Sequence, residues 1–377
     1  MEALRGGHVR RLFPGGNTAY GFHSFYDQII APDATRIFII KGGPGVGKAT
    51  FMRAIAEEMA ARGFAVELMQ CSSDNDSLDG AVFPGIGVAL IDGTAPHVVD
   101  PKNPGCVDEI VHLGDFWDEA GMVRGKAEIL ALNQRVGALF ARAYRFLRAA
   151  KAIRDDWSAA NAARLDAGRA NRLADEMIHR FLGPRAVAAS PGGIRRLFAS
   201  AITPEGPVNH LETIFSRGQI VVLRGDPGSG RSTLLGKVAQ AAAERGLAVE
   251  CFMCGFDPLR LEHIYLPGLQ VGFVTSGEYH RYGEDRAETI LDMDDCRGGG
   301  TESIAIEDRG VFAGLLGRAV ACIREAKETH DLMESHYIPH MDFAAINRLR
   351  ERILRRILAY AGAPGAEPGC HSAAGGA

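Results

Sequence analysis

Two hydrophobic patterns alternate along the chain. Apolar runs of strand length, Ile37-Phe38-Ile39-Ile40 and Ile220-Val221-Val222-Leu223, each lead into a glycine-rich turn and then into residues with helical spacing. The spacing predicts strands over 36–40, 65–71 and 86–91 and a helix over 48–61, which Gly63 ends. Short, uniformly apolar strands alternating with helices predict a parallel sheet covered on both faces. In such a sheet, ligands sit at the carboxyl ends of the strands.

The pattern then repeats. Lys41 and Arg224 begin matching segments, and the same offset of 183 positions aligns Arg62-Gly63 with Arg245-Gly246, Cys71 with Cys254 and Asp74 with Asp257. It also aligns Pro84-Gly85 with Pro267-Gly268 and His97 with His280. The chain reads as a tandem duplication of an α/β unit. Repeat one is expected over 1–186 and repeat two over 187–361, followed by a disordered Gly/Ala/Pro tail over 362–377. Each repeat closes with an Arg-rich helical appendage, near 123–182 and 312–360, whose amphipathic helices are expected to pack on the sheet or on each other.

The turn after the first strand is Gly42-Gly43-Pro44-Gly45-Val46-Gly47-Lys48-Ala49-Thr50. Strand, glycine-rich turn and helix in this order form the context of a phosphate-binding P-loop. Glycines let successive N–H groups point into one concavity, and the following helix adds the positive end of its dipole. Residues 43–50 (Gly43, Pro44, Gly45, Val46, Gly47, Lys48, Ala49, Thr50) are therefore expected to hold a nucleotide's phosphates, with Lys48 reaching the β/γ-phosphates. The position after the lysine, where a Ser or Thr hydroxyl ligates Mg²⁺ in such loops, is Ala49. The second loop offers Gly228, Ser229, Gly230, Arg231, Ser232 and Thr233 and carries arginine in place of lysine. Arginine keeps the charge, but its planar fork is wider than an ammonium.

Asp92 ends the third run of repeat one, where a carboxylate would hold Mg²⁺ through water. Its counterpart is Thr275. Asp74, with Asp76 beside it, is the expected acid for polarising an attacking water or hydroxyl, and the alternative is a loop-capping role. His97 and His280 either touch phosphate or satisfy a loop carbonyl. Arg10, Arg11, Arg195 and Arg196 recur in both halves, either as salt bridges or as a finger that one repeat extends to the other's phosphate. His330, His336 and His340, with Asp331 and Glu334, make a local cluster that is read as a weak metal candidate, with Pro339 breaking its helix. Cys251 and Cys254 form a CxxC on a predicted strand, read as buried thiols.

Composition narrows the classes. A net charge of −4 carries no nucleic-acid signature, and there is no apolar run long enough to span a membrane. No signal-peptide core is expected, and seven scattered cysteines read as reduced thiols in a cytoplasm.

Three stretches carry a resemblance. Gly16-Asn17-Thr18-Ala19-Tyr20-Gly21-Phe22 through Ser24-Phe25-Tyr26-Asp27 is the first. Cys71-Ser72-Ser73-Asp74-Asn75-Asp76-Ser77-Leu78-Asp79-Gly80 and Asp92-Gly93-Thr94-Ala95-Pro96-His97 are the others. Together with the two loops they resemble a family of tandem P-loop ATPases of spore-forming and other anaerobic bacteria. The resemblance implies two P-loop NTPase domains that bind ATP. That family carries lysine–serine in both loops, where this chain has Lys48-Ala49 and Arg231-Ser232. Three functions follow as expectations: an ATPase working at site one with site two degenerate or regulatory, a P-loop kinase for a small-molecule acceptor, or a non-hydrolysing nucleotide sensor. A protein or small-molecule partner of unknown identity goes with each of them.

Overall fold

The computed structural model describes residues 8–95, 98–298 and 303–362. The first half forms strands β1 (Val9–Leu12), β2 (Gly15–Thr18), β3 (Gly21–Ser24) and β4 (Arg36–Lys41), then helix α1 (Lys48–Ala61). It continues through β5 (Val66–Gln70), β6 (Leu78–Phe83), β7 (Val88–Asp92), β8 (Asp108–His112), α2 (Glu119–Arg124), α3 (Lys126–Ala162) and α4 (Ala167–Leu182). The second half runs β9 (Ile194–Phe198), β10 (Ser200–Thr203), β11 (Gly206–Asn209), α5 (Leu211–Ile214), β12 (Gln219–Arg224), α6 (Arg231–Glu244) and β13 (Val249–Met253). It closes with β14 (Leu261–Leu266), β15 (Val271–Thr275), β16 (Thr289–Asp292), α7 (Ser303–Ser335) and α8 (Phe343–Ala361).

Two six-stranded sheets carry the fold, in the order β1-β5-β6-β7-β4-β8 and, mirrored, β9-β13-β14-β15-β12-β16. The expected parallel sheet is in fact mixed. β6 lies antiparallel between β5 and β7, and β14 does the same between β13 and β15. Sequence reading passes straight from the second apolar run to the third and leaves these strands out. The reason for their direction is connection length. Only residues 71–77 join β5 to β6 and only 84–87 join β6 to β7, too few for the crossover that parallel neighbours need.

The chain forms two compact units. Among the described residues, unit one comprises 8–15, 24–141 and 322–362, and unit two comprises 16–23 and 142–321. Each unit takes its sheet from one repeat and its covering helix from the end of the other. In unit one, Ile346, Ile353 and Ile357 of α8 are buried with Phe38, Ile40 and Leu90 of the first sheet and Met52 of α1. In unit two, Ala174, Met177, Phe181 and Leu182 of α4 are buried with Val221, Leu223, Leu234 and Phe273. Both helices start the same way: Asp342 accepts from Ala345 N at 2.9 Å, and Asp166 accepts from Arg169 N at 2.9 Å. The apolar stripes announce amphipathic helices, but a stripe does not say which of two similar sheets it covers.

The exchange predicts a stability effect. Ile357 is fully buried among first-sheet residues, although it lies in repeat two. Ile357→Ala is expected to cost about 2–5 kcal/mol, read from chemical denaturation of the full chain.

Among the described residues the six cysteines are free thiols, Cys251 and Cys254 among them and both buried. Burial pushes the Cys251 thiol up to about 11. No helix among them is long and apolar enough to cross a membrane. Residues 363–377, most of the expected tail, lie outside the described residues, as do Pro96 and His97.

Candidate functional site

The first glycine turn links the end of β4 to the start of α1. Gly45 and Gly47 sit at φ of 66° and 86°, a left-handed backbone that a side chain would strain. Gly47 is the N-cap of α1, so the free N–H groups of that helix's first turn face the loop. Lys48 folds back over the turn, donating to Gly43 O at 2.8 Å and Gly42 O at 3.1 Å. Its Nζ also stands 3.7 Å from Asp92 Oδ2 at the tip of β7. Thr94 holds that aspartate and the loop together. Its N–H donates to Asp92 Oδ1 at 2.9 Å, and its hydroxyl donates to Gly42 O at 3.1 Å. Ala49 packs against the core, and Thr50 is exposed.

A second acid lies behind Asp92. The β6–β7 ladder pairs Gly80 with Ile91, and one step further along the same register puts Asp79 opposite Asp92. Directly opposed residues of an antiparallel pair project to the same face. Asp79 is almost fully buried. Burial raises its carboxyl to about 7, helped by the Asp92 charge and opposed by hydrogen bonds from Tyr26 and Cys71 and by Lys48. Asp92 is also raised, again by burial, with Lys48 and Thr94 pulling it back. The three groups form a connected set: a cation at the loop, a carboxylate at the strand tip and a half-protonated acid at neutral pH. Asp79 does not figure among the acids expected from sequence. The repeat held the signal, because its counterpart at the 183 offset is Glu262, an acid in a buried strand of each half.

Asp74 lies in the turn between β5 and β6. Its Oδ1 accepts from Asp76 N at 3.0 Å, which caps the turn, and its Oδ2 stands 3.4 Å from Lys327 of α7. Lys327 also bonds Asp331 at 2.6 Å. Unit two repeats this set with other residues: Lys151 bonds Asp155 at 2.6 Å and faces Asp257 at 3.4 Å.

The end of α7 lies over the first loop. Glu334 Oε1 accepts from Gly45 N at 3.1 Å, so a carboxylate occupies an N–H that an anionic ligand would use. A side chain on Gly43 would strike Tyr337 at 2.7 Å. Of the histidine cluster, His330 joins Asp331 and Glu334 with ligand atoms within 4.8 Å of one another. His336 and His340 point elsewhere, to Glu128 at 3.9 Å and Asp118 at 3.7 Å. They also lie beyond the helix, since α7 ends at Ser335 and a short 3-10 turn, Ile338–His340, follows.

The second loop is braced more tightly. Asp226 N donates to Asp294 Oδ1 at 3.1 Å, and Arg297 holds Asp294 at 2.8 Å. Asn161 of α3 donates to Pro227 O at 2.8 Å. A side chain on Gly228 would strike Ser158 O at 2.2 Å. Thr275, in the place of Asp92, is buried, and its N–H donates to His263 Nδ1 at 3.0 Å. Burial lowers His263 to about 3, so this ring is neutral and can accept. His280 lies 2.8 Å from Glu262. Although burial pushes Glu262 up, His280 and Arg154 hold it well below the usual carboxylate range.

Two of the four recurring arginines, Arg10 and Arg195, meet glutamates on the neighbouring strand. Arg10 bonds Glu67 at 3.0 Å and Arg195 lies 3.5 Å from Glu250, each pair within its own sheet. That arrangement is the salt-bridge reading. No protein-family model, curated protein or solved structure matches this chain.

Proposed function

We propose that unit one is a P-loop nucleotide site that binds and hydrolyses ATP, with the second loop degenerate or regulatory. The observation that carries this is Lys48, poised on the glycine turn between the Gly42 and Gly43 carbonyls and 3.7 Å from Asp92. Incoming phosphate oxygens would take Lys48 from those carbonyls and accept from the N–H groups at the start of α1. The residues fit Mg²⁺ in part: Asp92 is the acid to hold it through water, and Ala49 adds no hydroxyl. When bound, Mg²⁺ supplies charge neutralisation at the β- and γ-oxygens. Asp79 is the proton acceptor in this reading, because a carboxyl near 7 takes a proton at neutral pH and Asp74 is engaged with its turn and Lys327.

The test is ADP release from ATP by the purified full chain, with and without Mg²⁺. Mg²⁺-dependent release supports the reading. Release that rises with an added small-molecule acceptor turns it into a kinase. Tight ATP binding without release turns it into a sensor, the second reading, which Ala49 and the Glu334–Gly45 contact favour.

That contact carries its own prediction. Phosphate and the Glu334 carboxylate compete for the Gly45 N–H. Glu334→Gln keeps the size and removes the charge, so ATP affinity is expected to rise about three- to tenfold, measured by calorimetry. An unchanged or weaker affinity would mean the carboxylate does not guard the loop.

A further inference from the structure

Two adjoining cavities in unit two share a wall of arginine. The smaller, of about 40 Å³, is lined by the second glycine loop together with Arg154, Arg231, Arg260, Glu262 and Thr275. That is room for a few waters or one compact anion, and too little for a triphosphate. The larger, of about 140 Å³, is walled by Trp157, Ile202, Phe256, Tyr279, Phe312 and Leu316. Arg154, Pro227, Arg231 and Cys254 line both, so the spaces meet at the two guanidinium groups.

The charges at this junction are unevenly satisfied. Arg154 lies against a pair of aromatic rings, its guanidinium carbon 5.3 Å from the Phe256 centroid and 5.8 Å from that of Phe312. Arg231 makes no side-chain hydrogen bond and no ion pair within 4.0 Å among the described residues. Burial lowers its pKa, the Arg154 charge lowers it further, and Glu262 partly offsets this. The nearby acids are engaged, Glu262 through one of its two oxygens: Glu262 Oε1 with His280 at 2.8 Å, Glu278 with Arg309 at 2.8 Å and Asp226 with Arg297 at 3.6 Å.

Polar atoms around the same spaces also lack partners. Ser229 Oγ on the smaller cavity's wall, and Trp157 Nε1 and Tyr279 Oη on the larger one's, are buried without a hydrogen-bond partner. Ser229 is 1% exposed and Trp157 5%. All three are donors, against one unpartnered acceptor on these walls, Glu262 Oε2 in the smaller cavity, and orphaned buried donors cost about 1–3 kcal/mol each unless an acceptor reaches them. A site with surplus cations, surplus donors and an aromatic wall is matched by an acceptor-rich anion on an apolar body.

We propose that unit two binds a small organic phosphate, its phosphate held by Arg231, Arg154 and the second glycine loop and its apolar body among Trp157, Phe256 and Phe312. The lysine-to-arginine change in the loop then serves this ligand instead of a nucleotide. The proposal shares with the ATPase reading only the idea that a glycine loop cradles phosphate, and it needs no turnover at the first loop.

Trp157 is a built-in reporter. The chain has two tryptophans, so Trp117→Phe leaves Trp157 alone. In the full chain carrying Trp117→Phe and Lys48→Ala, which removes the first loop's phosphate ligand, phenyl phosphate is expected to change Trp157 emission saturably. Benzyl alcohol and benzoate should bind at least tenfold more weakly, and inorganic phosphate should compete. Arg231→Gln should weaken phenyl phosphate at least tenfold and leave benzyl alcohol unchanged, with Arg231→Lys partly restoring the loss. The idea is overturned by the absence of a saturable response, by equal affinity for benzyl alcohol, by indifference to both Arg231 variants, or by ATP binding more tightly than phenyl phosphate. ATP turnover by the parent chain is read separately, so either proposal can fail alone.

Discussion

Replacing Lys48 by alanine is expected to lower Mg²⁺-dependent ATP turnover by about 10²–10³, the cost of deleting one preorganised charge or donor from a transition-state site. Lys48 reaches the loop carbonyls at 2.8 and 3.1 Å and Asp92 at 3.7 Å. Removing it leaves Asp92 and Asp79 as two acids on one face with no cation between them and incoming phosphate. The loss should therefore fall on both binding and turnover: more negative charge meets a ligand that is itself anionic. Single-turnover kinetics with calorimetric affinity separates the two. Gly47 still starts α1, but Lys48 is mostly buried beside Asp92 and offsets the charge of both acids, so chemical denaturation of the variant is read alongside its turnover. A Lys48→Ala chain that hydrolyses ATP at the parent rate would remove the first loop as the working site.

Asp79→Asn is the second large effect, and it is read in pH. In the folded chain Asp79 keeps its proton up to about 7, whereas an unfolded aspartate releases it near 4. Between those values the folded state binds more protons than the unfolded state, so stability falls as pH rises through the window. Above about 7 the penalty is complete. A shift of roughly three units corresponds to a penalty on the order of 4 kcal/mol from this one group. Asparagine carries no charge to desolvate and can still accept from Tyr26. Asp79→Asn is therefore expected to raise stability at pH 8, leave it nearly unchanged at pH 4 and flatten the slope between. Chemical denaturation at the two pH values measures this.

The same substitution should damage turnover. If Asp79 takes the proton from the attacking group, the parent's rate rises with pH through about 7 and then levels off. In Asp79→Asn that limb should vanish and the rate should fall about 10²–10⁴-fold. A protein that is more stable and less active is the signature of a buried acid kept for chemistry. Higher stability with an unchanged rate would leave Asp79 a structural residue and return the role to Asp74.

Much of this was legible in the chain. The apolar runs place β4, β5 and β7 and their repeats within a residue or two, because buried strands leave a mostly apolar signal. The glycine turns, Lys48 and Asp92 were legible because their roles are local: a turn needs φ values only glycine takes easily, and a strand tip follows its strand. The repeat was legible because duplication copies spacing. β6 and β14 were not, since Asp79, Gly80, Glu262 and His263 break the apolar pattern inside strands whose other positions are apolar.

Tertiary structure decided the rest, for reasons of physics that act through space. Whether a strand runs parallel or antiparallel depends on how its connection closes. Whether an amphipathic helix covers its own repeat's sheet or the other's depends on chain path, since two homologous sheets offer α4 and α8 similar apolar faces. The proton affinity of Asp79 depends on burial and on Asp92 and Lys48, groups 13 and 31 positions away in the chain. The surplus of Arg231 and its aromatic surroundings exists only once α3, the second loop and α7 enclose one cavity. The sequence by itself determined a duplicated α/β chain with two glycine cradles. Folding alone set the charge, the covering helix and the free space at each.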